Sequence, residues 1–340
     1  MDRIEDALNP RRILKQFVLG VGGSTGTLIF IVLSLFRREK GMSLAIPAPS
    51  YLFVGVLLLA LAWSCDALRV AITARLWKKP IRFRDSLTVV LSGYFLSGIT
   101  PANTGGNVAE IYVLVKSGLS LGEATSLTLM GGVLYSLSLL FLFSLFSFLS
   151  PEEVPSRIFQ LASRFVMVYS ALVGALAFFL CFPRPLVAIT ERVITLLGTR
   201  IPRLASLVHV APEFVSNFLR ELREKFLLFL HNPHYLGWNV MMYCFHFLCL
   251  LGTTYFVLRA LALANLPWSS VIRLQLPLFF ALRFTPVPGA SGLAELSFTS
   301  LFGSFLGGGR MSLLVFFWRL YTYYGALGAG GIALFRALAR

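Results

Sequence analysis

Charge is scarce in this chain. Of 340 residues only 13% are charged, and 15 Asp and Glu stand against 30 Lys and Arg; soluble domains carry about 25% charged residues. With 57% hydrophobic residues, that excludes an ordinary soluble protein and also disorder, which needs the opposite composition. Cysteine is rare too. Cys65, Cys181, Cys244 and Cys249 lie inside apolar stretches without CxxC spacing, so neither a disulfide framework nor a metal site is expected. The four histidines (His209, His231, His234, His246) show no ligand spacing. No G-X-Y period, no long charged heptad and no GxxxxGK[ST] loop occurs, which leaves out collagen, coiled coil and an ATP-driven motor. No cofactor is expected.

What the chain has is long apolar runs and a mean hydropathy of +0.78. Runs over 17–36, 51–73, 121–149, 158–182, 233–261 and 312–336 each suffice for a bilayer crossing, which needs ~20 residues of helix. Six crossings are predicted, the first a retained span rather than a signal peptide, with a Gly22–Gly26 spacing that suits close helix packing. Four pieces are shorter: 86–99, 108–118, 274–284 and 293–306. They form two pairs, each joined by a polar turn, and read as re-entrant or broken helical hairpins, since irregular backbone at membrane depth survives only inside protein or beside a cavity. Short tilted crossings are the alternative.

The net charge of +15 sits in short clusters between apolar runs, as in cytoplasmic loops. Anionic lipid headgroups are the expected partner and nucleic acid is not. Residues 183–232 carry Arg184, Arg192, Arg200, Arg203, Arg220, Arg223 and Lys225 with apolar residues at helical spacing, and read as amphipathic helices on the cytoplasmic membrane face. Arg75, Lys78, Lys79, Arg82 and Arg84 place the 74–85 loop in the cytoplasm too, with both termini; Arg37, Arg38 and Lys40 dissent.

The two polar turns resemble each other: TPANTGGNVAEI at 100–111 and TPVPGASGLAEL at 285–296. Thr100 meets Thr285, Pro101 meets Pro286, Ala109 meets Ala294, Glu110 meets Glu295 and Gly118 meets Gly303, all 185 residues apart. Three crossings separate the copies, an odd number, so they face opposite sides of the membrane. An inverted repeat, with residues 51–149 as its first half and 233–340 as its second, places a substrate site at the midplane.

Helices restarting near Asn107 and Gly292 would offer unpaired N–H groups to a phosphate or carboxylate. Gly105, Gly106, Gly289 and Gly292 allow close backbone approach, and Thr100, Asn103, Thr285 and Ser291 complete the polar set. Glu110 and Glu295 are either capping-box acids three residues after Asn107 and Gly292, or buried carboxylates with a function. Arg283 and Arg319 would balance them or touch phosphate. Asp66 and Arg69 are spaced to pair with each other on one helix, and Tyr321, Tyr323 and Tyr324 read as packing aromatics.

These motifs resemble the flippase-like membrane family that includes the transmembrane part of lysylphosphatidylglycerol synthase. The resemblance rests on the TP…GG…AE turn of Thr100–Glu110, on Tyr112 and on GLSLGEA at Gly118–Ala124. It extends to Pro286–Glu295 and to Trp318, Arg319, Thr322, Tyr323 and Tyr324, nearly the whole length. Some members carry an Arg early in the span after the first motif, where this chain reads TLMGGVLYS (128–136). The resemblance implies translocation of lipid between leaflets. Without the soluble aminoacyl-transferase domain, synthesis of lysyl-lipid is not expected.

The sequence thus predicts a single all-α polytopic domain over 1–340 in the cytoplasmic membrane. It is expected to be a transporter, not an enzyme, and to move a phospholipid with an anionic or zwitterionic headgroup. An ion-coupled carrier of a small soluble anion and a non-transporting partner of an envelope enzyme are the alternatives. Homo-oligomerisation is left open.

Overall fold

The computed structural model describes residues 10–38, 47–149, 164, 167–172, 174–175, 220–263, 266–282, 285–303, 305–306 and 308–339, and all regular structure among them is helical. The elements are α1 (Pro10–Arg38), α2 (Pro49–Leu76), α3 (Phe83–Ile99), α4 (Thr104–Lys116), α5 (Leu121–Leu149), α6 (220–231), α7 (Pro233–Ala260), α8 (Trp268–Leu282) and α9 (Leu293–Phe302). A last helix runs from α10 (Gly308–Arg319) through a π-helical turn (Leu320–Tyr324) into α11 (Gly325–Leu338). Helices α2, α5 and α7 are each long and apolar enough to cross a membrane. The expected span over 158–182 is described only at 164, 167–172 and 174–175, all helical. Most of the basic stretch 183–232 lies outside the described residues. Its described end, α6, is amphipathic, with Leu222 and Phe229 buried and Arg220, Arg223 and Glu224 exposed.

Helices α2 and α7 are built alike. Each has 28 residues, opens on a proline (Pro49, Pro233) that tolerates the first helical turn, and ends in a left-handed residue, Lys78 or Ala262. At each end the next amide, of Lys79 or Leu263, donates back to the carbonyl of Ala74 or Leu258, closing a Schellman turn. The two helices pack antiparallel: Ala48 N–H donates to Ala260 O, His246 bonds Ala62 O, and Thr73 donates to Asn239. Contacts therefore move up one helix as they move down the other.

α3 and α4 form a tight helical hairpin. Gly93 lies against Glu110, Gly106 against Ser97, and Gly105 against Thr100, which is antiparallel register. Gly106 is obligatory here, because a Cβ would strike Ser97 and stand 3.0 Å from the Gly93 carbonyl. Thr100 closes the turn by donating to Leu96 O (2.6 Å) and accepting from Gly105 N–H (2.9 Å). α8 and α9 pack as the corresponding second pair. The helix after each pair reaches the first helix of the other: α5 packs on α8, and α11 on α3. Three apolar cores are formed by the described residues, one around α2–α5 and α11, one around α7–α10, and one where α5 and α6 meet α7 and α8.

Three expectations change. Among the described residues nothing lies within 4 Å of where a Cβ would stand at Gly22 or Gly26, and the close approach on α1 is made by Gly20, against Ile99. The helix after the first turn starts at Thr104, not near Asn107, so Glu110 lies in its second turn, past the capping-box position. The turns also align differently. Pro101–Asn103 and Pro288–Ala290 are matching single 3-10 turns whose second and third residues are left-handed (Ala102 and Asn103; Gly289 and Ala290). In backbone terms Pro101 therefore corresponds to Pro288 rather than Pro286.

Candidate functional site: a polar cavity where the two turns meet

The two turns touch. Ala102 N–H donates to Thr285 O at 3.2 Å, so both irregular backbones end at one place inside the helices. Beside them lies a cavity of about 620 Å³. Its wall draws Leu59, Trp63, Asp66 and Arg69 from α2, and Gly93, Tyr94 and Ser97 from α3. The first turn and α4 add Asn103, Asn107 and Glu110, and α5 adds Thr128, Gly131 and Tyr135. Tyr243 and His246 come from α7, Phe279 from α8, Gly289 and Ala290 from the second turn, and Thr322 and Tyr323 from the π-helical turn.

The polar wall is organised around Arg69. Its Nε donates to Asp66 at 2.8 Å, one helical turn back, as the spacing predicts. Its guanidinium lies 4.7 Å from the centre of the Tyr243 ring, and Glu110 stands within electrostatic reach. The other Asp66 oxygen accepts from the Tyr94 hydroxyl at 2.5 Å. Arg69 has room because position 131 is glycine: a Cβ there would stand 2.9 Å from its Nη1. Among the described residues, the charged groups of the wall are thus two carboxylates and one guanidinium, acidic on balance in a chain of net charge +15.

The second acidic motif is closed. Glu295 accepts from Arg319 Nε at 2.7 Å, with side chains 0% and 4% exposed. Its other oxygen accepts from Gly292 N–H at 2.8 Å. That is half of a capping box, since Gly292 has no side chain to return the bond. Gly292 sits at φ +83°, a conformation glycine adopts at little cost. Arg319 lies 5.2 Å from both the Trp318 and Tyr323 ring centres, and neither Glu295 nor Arg319 lines the cavity.

Of the residues singled out from sequence, Asn103, Asn107, Glu110 and Gly289 reach the cavity wall. Thr100, Gly105 and Gly106 shape the first hairpin behind it, while Thr285 holds the first turn by its carbonyl. Ser291 donates to Pro288 O within the second turn. Arg283 lies outside the described residues.

A match to the profile of the lysylphosphatidylglycerol synthase TM region covers residues 13–330. The chain belongs to that family. A UPF0104 membrane protein of Archaeoglobus fulgidus is 23% identical over 299 residues, 83% of this chain and 85% of the relative. With three apolar helices of spanning length among the described residues, this is a multi-pass membrane protein.

Within this lysylphosphatidylglycerol synthase-type TM region, the motif Gly118–Ala124 has a structural reason. Gly118 is left-handed, and Ser120 and Glu123 form a complete capping box at the start of α5, with Ser120 N–H to Glu123 at 2.9 Å and Glu123 N–H to Ser120 Oγ at 3.0 Å. Lys225 reaches Glu123 at 3.6 Å, which ties α6 to that end of α5. The tyrosine-rich motif is a π-helical turn, a feature often found at functional sites. It aims three hydroxyls at three helices: Tyr324 meets Thr25 of α1, while Tyr321 and Tyr323 donate to Leu52 O of α2 and Gly98 O of α3. Sequence reasoning missed Trp63, Tyr94, Tyr135, Tyr243 and His246 as wall residues, and took Asp66 and Arg69 as a self-contained pair. The available signal was charge inside an apolar span, costly at membrane depth.

Proposed function

We propose that this protein moves a phospholipid across the cytoplasmic membrane, with the headgroup passing through the cavity where the two turns meet. The observation that carries this reading is the placement of the polar wall, which lies between apolar helices and is bounded by backbone from both turns. Arg69 suits a headgroup phosphate. Glu110 with Trp63, Tyr135 and Tyr243 suits an ammonium. Among the described residues of the wall, two carboxylates against one guanidinium favour a zwitterionic headgroup over a purely anionic one. The acyl chains would stay in the lipid phase.

An inverted repeat underlies this reading, with re-entrant hairpins at α3–α4 and α8–α9. Its support is threefold. α2 and α7 share length, proline start and Schellman end, 184 residues apart. They cross antiparallel near their midpoints, at Ala62 and His246. Equivalent helices that pack antiparallel imply a two-fold axis perpendicular to them, which lies in the membrane plane if they span it. The exchange of α5–α8 for α11–α3 follows the same symmetry. Opposed hairpins meeting at the midplane give a site open to either leaflet in turn.

The test is reconstitution into vesicles with a tail-labelled zwitterionic phospholipid and an impermeant quencher. Signal loss beyond the outer-leaflet half, faster than in protein-free vesicles, is expected; equal rates would overturn the reading. Cysteines placed in the 74–85 loop should label only from the cytoplasmic side of sealed cells.

A further inference from the structure

We propose that His246 is the proton-binding group of the cavity, and that it takes up a proton as the cavity binds a phosphate-bearing headgroup. The second half of this proposal rests on the lipid reading above; the first half does not. His246 is buried at the crossing of α2 and α7, at the centre of the fold, and lines the cavity. Its Nδ1 lies 2.9 Å from Ala62 O. A carbonyl only accepts, so Nδ1 carries the hydrogen and Nε2 is the basic nitrogen left for a proton.

The groups around the ring define what protonation does. From α2 come Asp66 and Arg69, both within electrostatic reach of the imidazole. From α3, Tyr94 stacks on the ring with centroids 6.1 Å apart while its hydroxyl holds Asp66. Tyr243 of α7 meets the ring edge-on at 6.4 Å, and Tyr135 of α5 packs on Tyr243 and Phe247. Glu110 of α4 acts on this group through Arg69.

In the neutral state Asp66 has one cationic partner among the described residues, Arg69. A proton on Nε2 adds a second cation that competes for the same carboxylate. Two cations on one carboxylate repel each other at low dielectric, and the guanidinium is pulled away from Asp66 toward any other anion. A phosphate supplies that anion: with Glu110 answering the headgroup ammonium, imidazolium and guanidinium stand against the Asp66 carboxylate and the phosphate. Binding and protonation therefore favour each other, and by linkage each strengthens the other equally. The apparent affinity for a phosphate-bearing headgroup should weaken as pH rises, by up to about tenfold per pH unit when one proton is exchanged. A buried ionisable residue at membrane depth carries a desolvation cost, and this linkage is a use that matches it.

The decisive experiment is calorimetric titration of the purified full chain with dihexanoyl phosphatidylethanolamine, at one pH, in two buffers of different ionisation enthalpy. Wild type should take up close to one proton per lipid. His246→Asn keeps a donor for Ala62 O, and should bind the lipid more weakly than wild type, as the linkage requires, and without proton uptake. Buffer-independent heats in wild type, or uptake that persists in His246→Asn, would overturn the proposal. A second measurement needs no lipid: ring 15N resonances of the histidines followed from about pH 5 to 8, with His246 identified by its loss in the Asn variant. The His246 ring should titrate, and its midpoint should move in Asp66→Asn. A ring neutral throughout would sink the proton site. Absence of lipid binding with a titrating ring would instead overturn the lipid reading and leave the proton site standing.

Discussion

Glu110 and Glu295 stand in matching acidic motifs of two helix pairs, and their surroundings are opposite. Glu295 sits at the start of α9, spends one oxygen on Gly292 N–H and the other on Arg319, and is sealed from the cavity. Glu110 sits one turn deeper in α4, against Gly93, and faces the cavity. The second pair is locked by its ion pair. Both guanidinium groups come from outside the pairs: Arg319 from α10, bonded directly to its carboxylate, and Arg69 from α2, which reaches the neighbourhood of Glu110 through the space left by Gly131. Two similar motifs can thus keep their carboxylate while one is held by an arginine and the other faces a cavity.

The comparison breaks first at the closed pair. Arg319→Ala leaves Glu295 charged, buried and without its ion-pair partner, and should cost about 3–5 kcal/mol, read as a large fall in thermal unfolding temperature in detergent. A shift no larger than that of an exposed substitution would mean the pair does not lock the fold. Gly131→Ala puts a methyl group 2.9 Å from Arg69 Nη1 and should cost about 1–3 kcal/mol as overpacking, with a larger loss of lipid movement than of stability. Equal losses in both would show that the Arg69 position matters only for packing.

Glu110→Gln sharpens the comparison from the other side. Because Glu110 lies past the capping-box position, the variant should fold like wild type, while lipid translocation falls on the order of tenfold, about 1.4 kcal/mol of barrier. Wild-type rates in that variant would make Glu110 as structural as Glu295. The smallest effect is expected at the α5 capping box, where Ser120→Ala should cost about 1 kcal/mol in unfolding and leave translocation unchanged.

Much of the architecture was legible because hydropathy reports helix length directly. α2, α5 and α7 follow their apolar runs to within a few residues at most ends, and the short segments became the short helices α3, α4, α8 and α9. The Asp66–Arg69 pair was legible because three residues is nearly one helical turn. The register of the turns was not. Shared letters aligned Pro101 with Pro286, whereas the left-handed pairs align it with Pro288, because a backbone conformation can be met by Ala102 and Asn103 as well as by Gly289 and Ala290.

By itself the sequence determined that this chain is an apolar helical membrane protein with two related polar turns, since burial and backbone satisfaction in lipid leave a chain of this composition little else to be. Which groups meet in the cavity was decided only in three dimensions. Asp66, Tyr94, Tyr135 and His246 come from four helices, and no spacing along the chain relates them. Whether a carboxylate faces a cavity or an arginine depends on a helix start moved by four residues and on one missing side chain at position 131. Those differences cost little in sequence, but close packing turns each of them into a different wall.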